Sequence, residues 1–186
     1  MARIKVIQPE EAEGRLSEIY NEILDKRKKL ADVHTIQSLR PESIVKHMEL
    51  YMEIMFTRSS LTRAEREMMA VIVSKNNDCV YCQTRHGEAL NHYWKNDQRV
   101  EDLKNDYNKL DLSSRELALC EFAKGLTKNP GLHEDNDFTL KLKSEGIDDA
   151  GVLDAVLVIA YFNFVNRIVL SLGVHVEEDQ GKGYDY

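Results

Sequence analysis

What this chain has little of narrows it first. Among 186 residues there are nine glycines and three prolines, and leucine, glutamate, lysine and alanine predominate, a balance that favours helix over sheet. No stretch alternates apolar and polar residues as a half-buried strand would. An excess of positive charge is also missing: the formal net charge is −7. That argues against nucleic acid as a partner, because phosphate binding needs a basic face. The one basic cluster, Lys26-Arg27-Lys28-Lys29, reads as a solvated helix end whose charge complements the helix dipole. Nor is there an uninterrupted run of membrane-spanning length. The most apolar stretch, Val152 to Val174, is broken by Asp154, Asn163, Asn166 and Arg167, so it reads as a buried helix rather than a span. The first residues, Met1 to Pro9, lack the apolar core and small-residue cleavage site of a signal peptide. These absences lead us to expect a cytoplasmic protein with no membrane or nucleic-acid partner. In that compartment a structural disulfide is disfavoured, and a C-x-x-C pair points to catalysis or metal binding.

What is present fits one globular unit. With 42% hydrophobic and 31% charged residues, the chain is long enough for one well-buried core, and we expect a single all-α domain over 1–186. Pro9 with Glu10, Glu11 and Glu13 suits a first helical turn. Leu16, Ile19, Tyr20, Ile23, Leu24 and Leu30 then recur with helical period, predicting an amphipathic helix of roughly 20 residues. Pro41 opens a second helix carrying Ile44, Met48, Tyr51, Met52 and Met55. Thr62 and Glu65 form a capping box ahead of six apolar residues in succession, Met68 to Val73, so most faces of that helix must be covered. Asn76-Asn77-Asp78 breaks it, and Asp78 is a good N-cap for the next helix. A short polar helix around Val100 to Leu103 follows. Ser113 and Glu116 supply a second capping box, so the segments beginning at Leu61 and Leu112 are built alike. Asn129-Pro130-Gly131 ends that helix. A modest helix at about 135–145 stops at Gly146. Asp148 or Asp149 opens the last long helix, to Leu172. The tail from about 176 to 186 is expected to be frayed or docked on a neighbour.

Reactive side chains concentrate between Glu67 and His86. Cys79 and Cys82 form a C-x-x-C pair, His86 stands four residues after Cys82, and Glu67 stands twelve before Cys79. A thiol in the first turn of a helix meets unpaired N–H groups and the positive dipole end, which favour thiolate. His86 lies on the face of Cys82 and can take its proton. If the helices flanking Asn76-Asn77-Asp78 fold back antiparallel, Glu67 and His86 each lie about 12 to 14 Å from the turn and sit level, allowing a relay Glu67–His86–Cys82. Glu67, beside an apolar run, is expected to be desolvated and its pKa raised. Three readings stay open on these residues: a redox pair, a zinc site short of a fourth ligand, and two packed cysteines beside a surface histidine. Haem attachment would need a histidine where Gln83 stands. Asn163, Asn166 and Arg167 on the last helix either line the site or belong to a hydrogen-bonded network or subunit contact.

The pattern Glu67-(eleven residues)-Cys79-x-x-Cys82-x-x-x-His86, with the phrases Glu65 to Ser74, Cys79 to Leu90 and Tyr161 to Arg167, resembles the alkyl hydroperoxidase D-like family of the carboxymuconolactone decarboxylase-like superfamily, in its peroxidase-related branch. The resemblance implies an all-helical fold assembling as a trimer or hexamer, and reduction of a hydroperoxide by the cysteine pair without a cofactor. Cys82 would attack the peroxide, Cys79 would resolve the sulfenic acid as a disulfide, and His86 and Glu67 would move protons. A dithiol protein, lipoyl or thioredoxin-like, would return the electrons. Tyr81 stands where the founding enzymes carry a histidine, and a phenol does not replace that base at neutral pH. Alternatives of another class are a cofactor-free lactone decarboxylase, whose branch lacks the cysteine pair, and a non-enzymatic redox sensor or scaffold.

Overall fold

The computed structural model describes residues 2–177; most of the acidic tail, 178–186, lies outside them. Among the described residues the regular structure is helical throughout. After a 3₁₀ turn at Pro9–Glu11 come α1 (Gly14–Arg27), α2 (Asp32–Thr35), α3 (Pro41–Phe56), α4 (Arg63–Asn76), α5 (Val80–Trp94) and α6 (Asp97–Asp106). A second 3₁₀ turn at Tyr107–Lys109 leads to α7 (Ser114–Lys128), α8 (Leu132–Asp135), α9 (Thr139–Ser144) and α10 (Asp149–Leu172).

The apolar run places α4 at the centre. Every side chain from Glu65 to Ser74 is buried, because α5, α7 and α10 pack around this one helix. Both capping boxes form: Thr62 accepts from the Glu65 N–H at 3.2 Å while its own N–H donates to the Glu65 carboxylate at 2.7 Å, and Ser113 and Glu116 do the same at 3.2 and 2.8 Å. Two orphan N–H groups per helix are thus satisfied locally. A smaller cluster of Leu16, Ile19, Tyr20, Ile23 and Ile44 joins α1 to α3 beside the main core. α10 is long and apolar enough to cross a membrane by length and composition, yet Ala155, Val158, Ile159, Phe162, Val165 and Val169 on its inner face are buried in the core.

Several boundaries differ from expectation. α1 ends at Arg27, where Lys28 turns left-handed (φ 61°), and Pro9 makes a separate short turn. The segment at 135–145 divides into α8 and α9. Asp78 does not cap α5; it takes a left-handed backbone (φ 56°) that reverses the chain, and Cys79 itself occupies the cap position. Asp tolerates that conformation better than most residues. Of the tail, Val176 packs on the core and Glu177 binds Arg85 of its own chain.

Candidate active site

The tight reversal at Asn77–Asp78 makes α4 and α5 an antiparallel pair, and that pairing brings Glu67 level with His86. Glu67 is fully buried, where an uncompensated carboxylate would cost several kcal/mol. Two partners, a guanidinium and an imidazole, offset this cost. Arg63, one turn earlier, donates to Oε1 from Nε at 2.9 Å and Nη2 at 2.5 Å. From α5, His86 Nδ1 meets Oε2 at 2.7 Å. The expected rise in the Glu67 pKa is therefore corrected in sign. Burial does push it up, but His86 and then Arg63 outweigh burial and hold the carboxyl below its ordinary value. An ionised carboxylate only accepts, so His86 keeps its proton on Nδ1 and presents the Nε2 lone pair. Phe162 fixes the ring edge-on, with centroids 4.4 Å apart.

Arg63 went unnoticed in the sequence although it stands four residues before Glu67, the spacing of a helical ion pair. It is held from several sides. It donates to the Met55 carbonyl at 2.9 Å and to the Tyr51 hydroxyl at 3.4 Å, and its guanidinium lies 3.6 Å from the centre of the Phe56 ring. α3 thereby locks the carboxylate end of the pair.

Cys79 and Cys82 are both buried, free thiols. They share a hydrogen bond: Cys82 as donor pulls Cys79 below the ordinary thiol value against the effect of burial, and Cys79, with burial, pushes Cys82 well above it while Asn166 opposes the rise. Cys79 is thus the more acidic thiol of the pair and Cys82 the less acidic. Cys120, inside α7, is pushed far up by burial and takes no part.

Cys82 and His86 open into a common cavity of about 70 Å³, walled also by His47 and Tyr51 of α3 and Tyr161 and Phe162 of α10. One water needs about 10–15 Å³ on this measure, so the space suits a small reacting group. Cys82, and not Cys79, lines it. At the rim, Tyr81 and Arg85 are tied to the C-terminal segment: Arg85 binds both Glu177 oxygens at 3.0 and 3.1 Å, and the Tyr81 hydroxyl donates to Glu177 at 2.9 Å. Burial, before other causes, pushes Tyr81 well above the ordinary phenol value, so it is no base.

The asparagines of α10 form a network. Asn77 donates to Asn163 at 3.1 Å and to Asn166 at 3.0 Å, and Asn166 donates to the Ser74 hydroxyl at 3.2 Å. Asn166 thus fastens the α4–α5 turn to α10 and also touches the Cys82 thiol. Arg167 instead closes onto Asn163 at 2.6 and 2.9 Å.

Comparison with known proteins places this geometry. Residues 43–104 match the carboxymuconolactone decarboxylase family, a stretch that holds Glu67, both cysteines and His86. The protein YdfG of Bacillus subtilis (strain 168) is 28% identical over 131 residues, 70% of this chain and 85% of that one. Among solved structures, a peroxidase-related protein from Ralstonia eutropha JMP134 with an alkylhydroperoxidase AhpD core superimposes with a TM-score of 0.85 at 25% identity, covering 97% of this chain and 94% of the other. The debrominase Bmp8, bound to 2,3,4-tribromopyrrole, shares the fold at a TM-score of 0.77 and 16% identity, over 97% of this chain and 96% of the other. The chain thus matches the carboxymuconolactone decarboxylase family over residues 43–104 and has the all-helical fold of the AhpD-core peroxidase-related protein.

Proposed function

We propose that the protein is a thiol-dependent peroxidase that cycles Cys79 and Cys82 between dithiol and disulfide. The observation that carries this reading is the Glu67–His86 pair at 2.7 Å, which leaves an imidazole lone pair in the cavity that Cys82 lines. His86 Nε2 takes the Cys82 proton, and the anionic Glu67 stabilises the imidazolium that forms. The thiolate then bonds to the terminal oxygen of a hydroperoxide. The O–O bond breaks, Cys82 becomes a sulfenic acid, and the departing alkoxide leaves as the alcohol once protonated. Cys79, made more acidic by its contact with Cys82, attacks that sulfur, and its thiol proton leaves with the sulfenic oxygen as water when the disulfide closes.

A dithiol protein, of lipoyl or thioredoxin type, returns two electrons, and no cofactor is needed beyond the thiols. The reading includes a homo-oligomer, trimer or hexamer. Its support is the outer face of α10, where Leu153, Leu157 and Phe164 are exposed as a patch suited to a second copy.

Thiol titration before and after one equivalent of hydroperoxide tests the cycle. Two thiols should vanish from the wild type and reappear with a dithiol, while Cys82→Ser should show no peroxide-dependent loss. An unchanged thiol count at neutral pH would sink the reading.

A further inference from the structure

The Cys82 cavity is lined also by His47 and Tyr161, and their hydrogen bonds have a direction that can be derived. Gln37 Nε2 lies 2.8 Å from the Val33 carbonyl and 2.8 Å from His47 Nδ1. A carbonyl oxygen only accepts, so the side-chain atom beside it is the amide nitrogen, and its two hydrogens go one to each neighbour. His47 Nδ1 is therefore an acceptor without a proton. The ring proton sits on Nε2, 2.6 Å from the Tyr161 hydroxyl oxygen, and is donated to it. The Tyr161 hydrogen is then excluded from this contact and must be donated elsewhere. Among the described residues no protein acceptor takes it, and Tyr161 lines the cavity beside Cys82.

The direction is stable at neutral pH. Protonating His47 would set Nδ1–H against an amide N–H, and burial lowers its pKa to about 4. Tyr161 stays a donor because burial first, then the charges of Tyr51 and Cys82, push it well above the ordinary phenol value. Cys82 and Tyr161 line the same cavity. His34 borders the same cavity with its buried Nδ1 lacking a hydrogen-bond partner, so this wall offers polar atoms to whatever enters.

We propose that Tyr161 is the general acid of this site: its O–H, aimed by Gln37 and His47, hydrogen-bonds to the oxygen that leaves when Cys82 attacks a hydroperoxide and gives it a proton. The proposal rests on the thiol-peroxidase reading and completes it. The Cys82 thiolate forms the S–O bond, the O–O electron pair goes to the alkoxy oxygen, and the Tyr161 proton converts that oxygen to the alcohol. The tyrosinate, stabilised by the His47 Nε2–H, regains a proton through water from the His86 imidazolium. The thiol proton thus ends on the alcohol, and both residues are reset.

Stopped-flow oxidation of the reduced protein by two oxidants tests this. tert-Butyl hydroperoxide expels an alkoxide that needs a proton, whereas peracetic acid expels acetate, which does not. Tyr161→Phe should lower the second-order rate about a hundredfold with the alkyl hydroperoxide and less than about threefold with the peracid. An equal drop with both marks a structural role and overturns the proposal, as does no drop with either. A wild type inert to both oxidants removes the peroxidase reading, and the proposal with it. A second measurement needs no variant: across hydroperoxides of increasing alcohol acidity, the wild-type rate should depend only weakly on the leaving group. A steep dependence overturns the assignment.

Discussion

The two walls of the Cys82 cavity are made from different kinds of sequence. Arg63, Glu67 and His86 come from two consecutive helices and meet because one reversal pairs α4 with α5. Gln37, His47 and Tyr161 are gathered from α10 and the N-terminal third of the chain, with His47 and Tyr161 separated by 114 positions. The first wall is charged, with a buried carboxylate matched to a guanidinium and an imidazole. The second is neutral, and its hydrogen bonds run in one direction. The difference suits the tasks we propose for them. A base must be stabilised as a cation after it takes a proton, which needs a nearby anion. A donor must remain neutral until it is used, which burial without a counter-charge secures.

Breaking the charged wall should have the largest effect. Glu67→Gln removes the anion that fixes the His86 tautomer and leaves Arg63 buried without its partner. Peroxide oxidation of Cys82 should fall about a thousandfold, and the unfolding free energy should drop by about 3 kcal/mol. Stopped-flow kinetics and urea denaturation read the two effects separately. A rate loss of less than about tenfold would mean that Glu67 serves folding rather than proton transfer.

How much of each wall could be read from sequence follows the same division. The capping boxes, the apolar run Met68 to Val73 and the spacing of Glu67, Cys82 and His86 are local signals, and local structure obeys them. Two level side chains on a helical hairpin can be found by counting residues. The sign of the Glu67 shift could not, because it depends on how closely His86 and then Arg63 approach the buried carboxylate in three dimensions. His47 with Tyr161 and Arg85 with Glu177 carry no spacing at all. They meet only because α3, α5, α10 and the segment after it converge on one cavity. The Asp78 reversal was misplaced for a subtler reason: Asp favours both an N-cap and the left-handed turn before one, and propensity does not choose between them.

The neutral wall should reveal itself in the pH dependence of stability. His47, ordinarily near 6.5, is lowered to about 4 in the fold, and burial lowers His34 well below its ordinary value too. Below about pH 6.5 the unfolded chain takes up protons that the folded protein refuses, so stability is present above that value and is lost as pH falls towards 4. His47 alone should contribute a loss of about 2 kcal/mol between pH 7 and pH 5. His47→Gln should flatten the dependence without abolishing it, since His34 continues to act in the same direction. Urea midpoints at the two pH values measure this. A wild type equally stable at both would contradict the neutral, buried state of this wall.

The smallest effect should come from the rim. Glu177 is held below its ordinary value because Arg85, with help from Tyr81, outweighs burial, and both side chains of the ion pair are mostly shielded, at 12% and 14% exposure. This ties the chain after α10 to Tyr81 and Arg85, two residues that line the Cys82 cavity. Glu177→Gln replaces a charged contact with a neutral one and leaves the helices unchanged, so only local opening becomes easier. Alkylation of Cys82 by iodoacetamide at pH 7 should then accelerate about threefold to tenfold, the equivalent of roughly 1 kcal/mol in the opening equilibrium. Global stability should be nearly unaltered, because the segment after α10 opens locally while the packed helices stay folded. An unchanged alkylation rate would show that solvent reaches Cys82 without moving this segment, and the rim would then be the wall of the cavity rather than its closure.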